Sequence, residues 1–283
     1  MVTVIFVEVN SMEIRSSGHI FYGCFPGFER IGHVTAAVSC RSGGSSPVPF
    51  DTLNMSFSVG DDPGHVRENR RRFLQILNIS PDQIVSCRQV HGIHLEQVGT
   101  EDRGRGALDL SDAIPSCDGL LTDEANVPLT MNFADCTPLL LYDPVHRAAA
   151  LSHGGWRGTA QDIAGCTVQR MRDAFGSIPG DILAAEGPAI GPSCFEVGED
   201  VKLAFQHLFE EAEQIRLFRS RGHGKYFLDL PEANRLLLIR AGIKAEHIEQ
   251  SGMCTYTRDD LFYSYRHSGG KTGRHMAVIM LQP

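Results

Sequence analysis

Three side chains of the types that bind transition metals lie at the ends of short apolar segments. Cys136 directly precedes one such segment, His153 follows the next, and His91 closes an earlier one. A catalytic zinc site uses three protein ligands of these types and leaves a fourth position to water or substrate. Their wide separations match no zinc finger or ribbon, so spacing alone also admits two turn histidines and a buried thiol.

A carboxylate adds to this set, because Asp135 directly precedes Cys136. Beside a ligating thiolate, it could orient metal-bound water or carry a proton. A capping or turn hydrogen bond is the alternative role. The same cysteine also admits a cysteine hydrolase, with Cys136 as the nucleophile and His153 or His91 as the base.

Several other catalytic patterns are missing. No GxSxG elbow is present, which argues against a serine hydrolase of the α/β class. The segment Gly269–Thr272 resembles the end of a phosphate loop, but Tyr265 stands where the upstream glycine is required. No two histidines are separated by one residue, so the paired-histidine pattern of four-copper oxidases is absent.

The composition is ordinary for a soluble globular protein. The chain has 283 residues, 42% hydrophobic content and a net charge of −8, which argues against a nucleic-acid binder. The eight cysteines form no CxxC pair, and the first basic residue is Arg15. We therefore expect a reducing cytoplasmic location without a signal peptide or membrane segment.

Strand and helix patterns alternate along the chain without a linker, which predicts one α/β domain with layered mixed sheets. We assign residues 1–19 to an N-terminal strand or flexible lead and residues 20–283 to the catalytic domain. The clearest predicted helices start at Asp61 and span 161–175 and 199–209. Predicted strands cover 84–90, 120–121, 127–131, 139–142, 148–152, 182–185, 226–230, 262–265 and 276–281.

Three further segments carry specific expectations. The Gly/Ser-rich loop Arg41–Pro47 could wrap an anion with its backbone N–H groups, although most such loops are connectors. Arg70–Arg72 is predicted to lie on a solvated helix face. The charged segment Thr100–Pro115 has no core periodicity and reads as a long surface loop that could act as a lid.

The ordered set of motifs from about residue 20 to the C-terminus resembles the YfiH-like family, also called the laccase-domain or polyphenol oxidase family. The motifs are Asn54–Ser56, Val59–Asp62, Glu68–Arg70, Gln89–Gly92, Ala134–Pro138, Asp143–Pro144, His153–Gly158, Gly187–Pro192, Cys254–Thr255, Phe262–Arg266 and Thr272–Arg274. Departures are small: Gly154, Glu186 and His267 stand where the family often has Ala, an apolar residue and Arg. Of these, Glu186 could alter the charge of the pocket.

The resemblance implies a single α/β/β/α layered domain and a zinc ion held by His91, Cys136 and His153. It also implies purine nucleoside phosphorylase activity on adenosine, inosine and methylthioadenosine, with adenosine deamination. A copper-dependent polyphenol oxidase, or laccase, is the alternative that the family name carries. The oligomeric state, monomer or dimer, stays open.

Phosphorolysis needs a positioned phosphate and a stabilised leaving base. Arg41 and Arg266 are the candidates for phosphate binding. Zinc could polarise the purine or activate water for deamination, with Asp135 as the proton carrier. Trp156 could stack on the base, although a lone tryptophan after two glycines is more often a packing residue.

Overall fold

The computed structural model describes residues 11–283. The helices are α1 Pro26–Ile31, α2 Pro63–Ile76, α3 Trp156–Thr159, α4 Ile163–Phe175, α5 Glu199–Phe205, α6 Glu211–Leu217 and α7 Leu230–Arg240. The strands are β1 Glu13–Ser17, β2 Ile20–Cys24, β3 Val34–Ser39, β4 Val85–Ser86, β5 Leu95–Gln97, β6 Gly119–Thr122, β7 Leu129–Phe133, β8 Thr137–Asp143, β9 Ala148–Gly154, β10 Leu183–Glu186, β11 Glu196–Gly198, β12 Phe218–Gly222, β13 Lys225–Leu228, β14 Ile248–Gln250 and β15 His275–Leu281.

Two six-stranded mixed sheets form the centre of the described chain. The first has the order β1-β2-β3-β15-β7-β4, and its β4–β7 pair is parallel. The second has the order β14-β10-β8-β9-β6-β5, with parallel pairs at both edges. A small antiparallel sheet of order β11-β13-β12 lies outside them.

Strand β8 is buried on both of its faces and so connects two apolar layers. In β8, Leu140 and Tyr142 join the core cluster that also contains Ala277 and Ile279 of β15. The neighbouring residues Leu139 and Leu141 of β8 point to the opposite face of their sheet and join the cluster that contains α4 and α7. On the outer face of the first sheet, side chains of α2 pack against β15. The layer order α/β/β/α is thus confirmed.

The N-terminal part of the described chain belongs to the first sheet. Strand β1 pairs with β2 in an antiparallel register over Glu13–Ser17. Residues 1–10 lie outside the described chain, so the division between 1–19 and 20–283 stays a prediction.

Some element predictions were wrong at their ends. The predicted strand 84–90 has ladder pairing only over Val85–Ser86, and the predicted helix 199–209 ends as α5 at Phe205. The segment 262–265 is irregular rather than extended. Its apolar signal comes from burial, because Phe262 and Tyr263 are both fully buried without ladder pairing. The helix predicted from Asp61 starts at Pro63, after Asp62 accepts from the N–H groups of Gly64 and His65.

The basic triplet of α2 does not lie wholly on a solvated face. Arg70 is 1% exposed. Its guanidinium donates to the carbonyl oxygens of Met55, Gly106 and Ala107. Gly106 and Ala107 belong to the segment predicted to act as a lid. In this structure, these hydrogen bonds anchor that segment to α2. No helix within residues 11–283 is both long and apolar enough to cross a membrane.

Candidate metal centre and cavity

Strands β8 and β9 bring Cys136 and His153 together. They pair in an antiparallel register in which Pro138 faces His153 and Thr137 faces Gly154. Cys136 directly precedes β8, so its side chain lies beside the end of β9 that carries His153. The short connection between Asp143 and Ala148 fixes this register. The register matters because a shift by one residue would place the His153 side chain on the other face of the sheet.

His91 reaches the same place from a tight turn. Its φ of 62° lies in the left-handed region, which is uncommon for a residue other than glycine. The turn is held by Asp118, whose carboxylate accepts the N–H groups of Val90, His91 and Gly92 at 3.1, 2.9 and 2.7 Å. The strained backbone is therefore fixed by three charge-assisted hydrogen bonds.

Asp118 also orients His153. Its Oδ1 lies 2.8 Å from Nδ1 of His153, and both side chains are almost fully buried. A hydrogen bond at Nδ1 leaves Nε2 as the metal-binding nitrogen. Burial by itself would raise the pKa of Asp118, but the bonds from His153 and from the Gly92 and Val90 N–H groups lower it overall.

Sequence reasoning missed Asp118. The available signal was its position directly before the buried strand β6, which parallels the position of Asp135 before Cys136 and β8. Its four contacts all come from residues distant in sequence, so its role emerges only in the folded chain.

The potential ligand atoms of His91, Cys136 and His153 all lie within 4.8 Å of one another. Ligands bound to one zinc ion at ordinary bond lengths would be separated by roughly 3.5 Å, so small side-chain movements suffice. A Cβ on Gly155 would lie 3.1 Å from Sγ of Cys136 and 3.2 Å from Cδ2 of His91. The donor set fits a metal, and a glycine at 155 leaves room for it.

Cys136 and His153 shift each other's pKa values. Burial alone would raise the pKa of Cys136, but the charge and hydrogen bond of His153, with a hydrogen bond from His91, lower it. Burial alone would lower the pKa of His153, but the Cys136 thiolate and Asp118 raise it. A thiolate is thus favoured at Cys136, and the thiolate is the form that binds metals.

A cavity of about 730 Å³ opens in front of these three side chains. This volume is typical of a small-molecule site. Apolar and aromatic walls come from Trp156, Ile190, Phe195, Leu230 and Tyr265. The cavity therefore combines a polar end, at the three potential ligands, with flat apolar surfaces that suit a planar ring.

Asp135 lies on the cavity wall and is 8% exposed. Its Oδ1 accepts from the Thr255 hydroxyl at 2.6 Å, and its Oδ2 accepts from the Arg266 backbone N–H at 2.7 Å. Asp135 thus fixes the loop of Arg266 and still faces the cavity beside Cys136.

Arg266 and Trp156 also line the cavity. Arg266 donates one guanidinium N–H to the carbonyl of Glu196 and lies 5.1 Å above the Phe195 ring. Trp156 is the first residue of α3 and carries the Arg157 guanidinium 4.4 Å from its ring centroid. Both positions are compatible with contacts to a substrate.

Arg41 is not among the residues that line this cavity, so its phosphate-binding and catalytic role stays a prediction. Its guanidinium bonds to the carbonyls of Asp51 and Asp259 and to the Asp51 carboxylate. The N–H groups of its loop are also used, since Gly44 and Ser45 donate to Thr52 and Asn69. Arg41 therefore has a structural role.

Arg274, for which the sequence predicted no role, also lines the cavity. Its backbone N–H donates to Oδ1 of Asn54, and its carbonyl accepts from the N–H of Met55. Arg274 belongs to one of the motifs behind the family resemblance, but the sequence alone gave it no function.

Glu186 lies away from the cavity lining, so the expected change of pocket charge does not follow. It is 1% exposed, and only its Oε2 has a partner, the amide of Gln250. Burial raises the pKa of Glu186 to about 8, which keeps the carboxyl neutral at lower pH.

A family model described as multi-copper polyphenol oxidoreductase laccase matches residues 35–282. The chain belongs to this family. It is 42% identical over 244 residues to purine nucleoside phosphorylase YlmD of Geobacillus stearothermophilus, covering 86% of this chain and 89% of the relative. A purine nucleoside phosphorylase of Bacteroides thetaiotaomicron is 33% identical over 92% of this chain and 95% of its own.

Solved structures agree with this family. The crystal structure of Geobacillus stearothermophilus YlmD has a TM-score of 0.90 and 39% identity, covering 95% of this chain and 99% of its own. The crystal structure of Bacillus licheniformis hypothetical protein YfiH has a TM-score of 0.89 and 37% identity, with the same coverage. The resemblance to the YfiH-like family and the mixed α/β fold are both confirmed.

Proposed function

We propose that this chain is a zinc-dependent purine nucleoside phosphorylase that acts on adenosine, inosine and methylthioadenosine. The single observation that carries the proposal is the convergence of His91, Cys136 and His153 at one end of a cavity of small-molecule size. The substrate class is supported by relatives that are named purine nucleoside phosphorylase and match most of the chain. Adenosine deamination is proposed as a side activity.

His91, Cys136 and His153 would hold the zinc ion. One thiolate with two imidazoles is a common zinc donor set, and such sites leave a fourth position to substrate or water. When bound, the ion would supply Lewis-acid polarisation of the purine or of a water molecule. Asp118 would keep His153 in the metal-binding tautomer.

The chain's own residues would perform the remaining tasks. Phosphorolysis breaks the bond between the ribosyl C1′ and the purine nitrogen and forms a bond from C1′ to a phosphate oxygen. Trp156, on the cavity wall, would stack on the purine, and Arg266 would contact the substrate through its free N–H groups. Asp135 would carry the proton that the leaving base requires, since each of its carboxylate oxygens accepts one hydrogen bond and keeps a further lone pair.

The test is release of ribose 1-phosphate from inosine by zinc-quantified protein, with and without inorganic phosphate. Cys136→Ala is expected to lose both zinc and turnover. Cys166→Ala is the matched control, because Cys166 is a partly buried thiol on α4 outside the cavity lining. Full turnover by zinc-free Cys136→Ala protein would refute the proposal. Inosine formation from adenosine without phosphate tests the deaminase activity.

A copper-dependent polyphenol oxidase is the second candidate, favoured by the description of the matching family as multi-copper polyphenol oxidoreductase laccase. A donor set of two histidines and one cysteine also occurs in copper electron-transfer sites. Within residues 11–283, however, the three side chains form one such ligand group, whereas four-copper oxygen chemistry needs further sites. Several coppers per chain with blue absorbance would favour this candidate, and one zinc per chain would exclude it.

A cysteine hydrolase is the third candidate. Cys136, His153 and Asp118 form a chain in which a thiolate is paired with a histidine that a carboxylate orients. The discriminating measurement is alkylation of Cys136 by iodoacetamide. Protection by zinc, without protection by amide substrates, supports the metal centre.

We also propose a cytoplasmic location. All eight cysteines of the chain are unpaired, which suits a reducing compartment.

A further inference from the structure

One of the side chains that line the cavity is a cation that forms no ion pair within residues 11–283. Arg274 is partly buried and lines the cavity. Within the described chain, no carboxylate forms an ion pair with it, unlike Arg41, which pairs with Asp51. Burial lowers the pKa of Arg274, and the charges of Cys136 and Asp135 act in the opposite direction. A desolvated guanidinium in this position favours an anionic ligand.

The orientation of this guanidinium is fixed by one of its nitrogens. Nη1 donates to the carbonyls of Thr272 and Gly273 at 2.9 Å each. Among residues 11–283, Nε and Nη2 have no hydrogen-bond partner. The side chain also lies 5.5 Å from the Tyr265 ring centroid, which limits its movement. One edge of the guanidinium fork is therefore held, and the other edge remains for a bidentate contact to an oxyanion.

Two hydroxyl groups line the same cavity. Ser56 and Ser58 are 2.8 Å apart through their Oγ atoms, and Ser56 Oγ also accepts from the Ser58 N–H. Of the two hydroxyl protons, one forms the mutual bond, so the second is available to a ligand. The backbone bonds of Arg274 to Asn54 and Met55 place this serine pair beside it.

The other cavity arginines are less suited to this role. Arg88 uses Nε and Nη2 on the carbonyl of Leu110, and Arg157 lies exposed over Trp156. Arg266 donates to Glu196 and is exposed. We propose that Arg274, Ser56 and Ser58 form the inorganic phosphate subsite of this cavity. The proposal rests on the proposed phosphorylase function and replaces Arg41 as the phosphate ligand.

The primary test measures phosphate and nucleoside KM separately, together with zinc content. Arg274→Gln should raise the KM for phosphate about tenfold or more, because a charge-assisted bidentate contact is lost. The KM for inosine should change less than about threefold, and the zinc content should not change. Arg274→Lys keeps the charge but loses the fork, so an intermediate phosphate KM is expected.

Two controls separate a specific subsite from general electrostatics. Arg88→Gln removes the same charge from the cavity rim and should change the phosphate KM less than about twofold. Ser58→Ala should raise it about two- to tenfold, as expected for one neutral hydrogen bond. If Arg274→Gln fails to fold, the phosphate KM values of Arg274→Lys and Ser58→Ala provide the test. An unchanged phosphate KM in both would overturn the subsite.

Direct binding of inorganic phosphate distinguishes failure of the subsite from failure of the proposed function. Isothermal titration calorimetry on zinc-loaded protein should detect phosphate binding that Arg274→Gln weakens about tenfold. If the wild-type chain binds phosphate in this way but releases no ribose 1-phosphate, the subsite stands and the phosphorylase proposal fails. Equal phosphate affinity in both proteins, or no phosphate binding by wild type, would overturn the subsite.

Discussion

Arg41 and Arg274 are the same residue type in opposite surroundings. The Arg41 guanidinium is bonded to two backbone carbonyls and a carboxylate, and its Gly/Ser loop bonds to Thr52 and Asn69. Arg274 has one nitrogen fixed by carbonyls and no ion pair within residues 11–283. The first region is internally satisfied, whereas the second faces a cavity with unused donors.

The contrast between Arg41 and Arg274 suggests how structural arginines can be distinguished from ligand-binding ones. A buried polar group is normally hydrogen-bonded within the protein, so unused donors that converge on a cavity indicate a missing ligand. The metal centre follows the same rule, because Asp118 satisfies one nitrogen of His153 and leaves the other nitrogen facing Cys136 and His91. Glycine content and local charge, the signals that favoured Arg41, do not report whether donors are already used.

The largest effect is expected for Asp118→Asn. The change removes the charge that holds the His91 turn and orients His153, so zinc affinity should fall about 10- to 100-fold. Competition with a chelator measures this affinity. Asp143→Asn is the matched control, since Asp143 is buried and binds Nδ1 of His146 and two backbone N–H groups away from the cavity. It should lower stability without changing zinc affinity, and equal zinc affinities in both variants would contradict the role of Asp118.

Arg41→Gln tests the arginine whose three guanidinium nitrogens are all hydrogen-bonded within the protein. Loss of bonds to Asp51 and Asp259 should lower the free energy of unfolding by about 2 kcal/mol. The value of kcat/KM for inosine should stay within about twofold of wild type. Urea titration and steady-state kinetics measure the two quantities. A tenfold loss of kcat/KM in a folded Arg41→Gln protein would instead support the predicted role of Arg41 in phosphate binding or catalysis.

Gly155→Ala tests the space behind the metal ligands. The new Cβ would press on Cys136 and His91, so zinc affinity should fall about tenfold, or about 1.4 kcal/mol. Gly180→Ala is the control, because a Cβ there would make only ordinary contact, 3.5 Å from Lys244. Equal zinc affinity of Gly155→Ala and wild type would show that the ligands move apart without cost.

Glu186→Gln tests a buried carboxyl that lies outside the lining of the cavity. The folded-state pKa of about 8 lies above the ordinary Glu value of 4.5. Between pH 4.5 and pH 8, folding is therefore accompanied by protonation of Glu186. The stability that this protonation contributes is fully present below pH 4.5 and is lost as the pH rises through 8. Glu186→Gln should be more stable than wild type by roughly 1 kcal/mol at pH 8, with a smaller difference at pH 5. Urea titrations at both pH values measure this, and the buried Glu249 contributes equally to both proteins. A stability difference that does not change with pH would contradict a neutral Glu186.

Much of the fold could be predicted from the sequence. Short apolar runs at 139–142 and 148–152 indicated two strands near Cys136 and His153, and these strands form as β8 and β9. Period and capping signals also placed α2 and α4 within two residues at their starts. These features depend on neighbours close in sequence. The segment 262–265 was wrong because burial and strand pairing give the same apolar signal.

The family and the three potential metal ligands could be predicted from the sequence, because these predictions follow from residue type and ordered motifs. The folded chain was needed to show that Arg274 lines the cavity while Arg41 does not, and that Asp118 is the carboxylate that orients the histidines. Arg41 bonds to Asp259, Arg274 bonds to Asn54, and Asp118 bonds to residues on both sides of it. A polar side chain is structural or functional according to the partners left to it, and those partners come from distant parts of the chain.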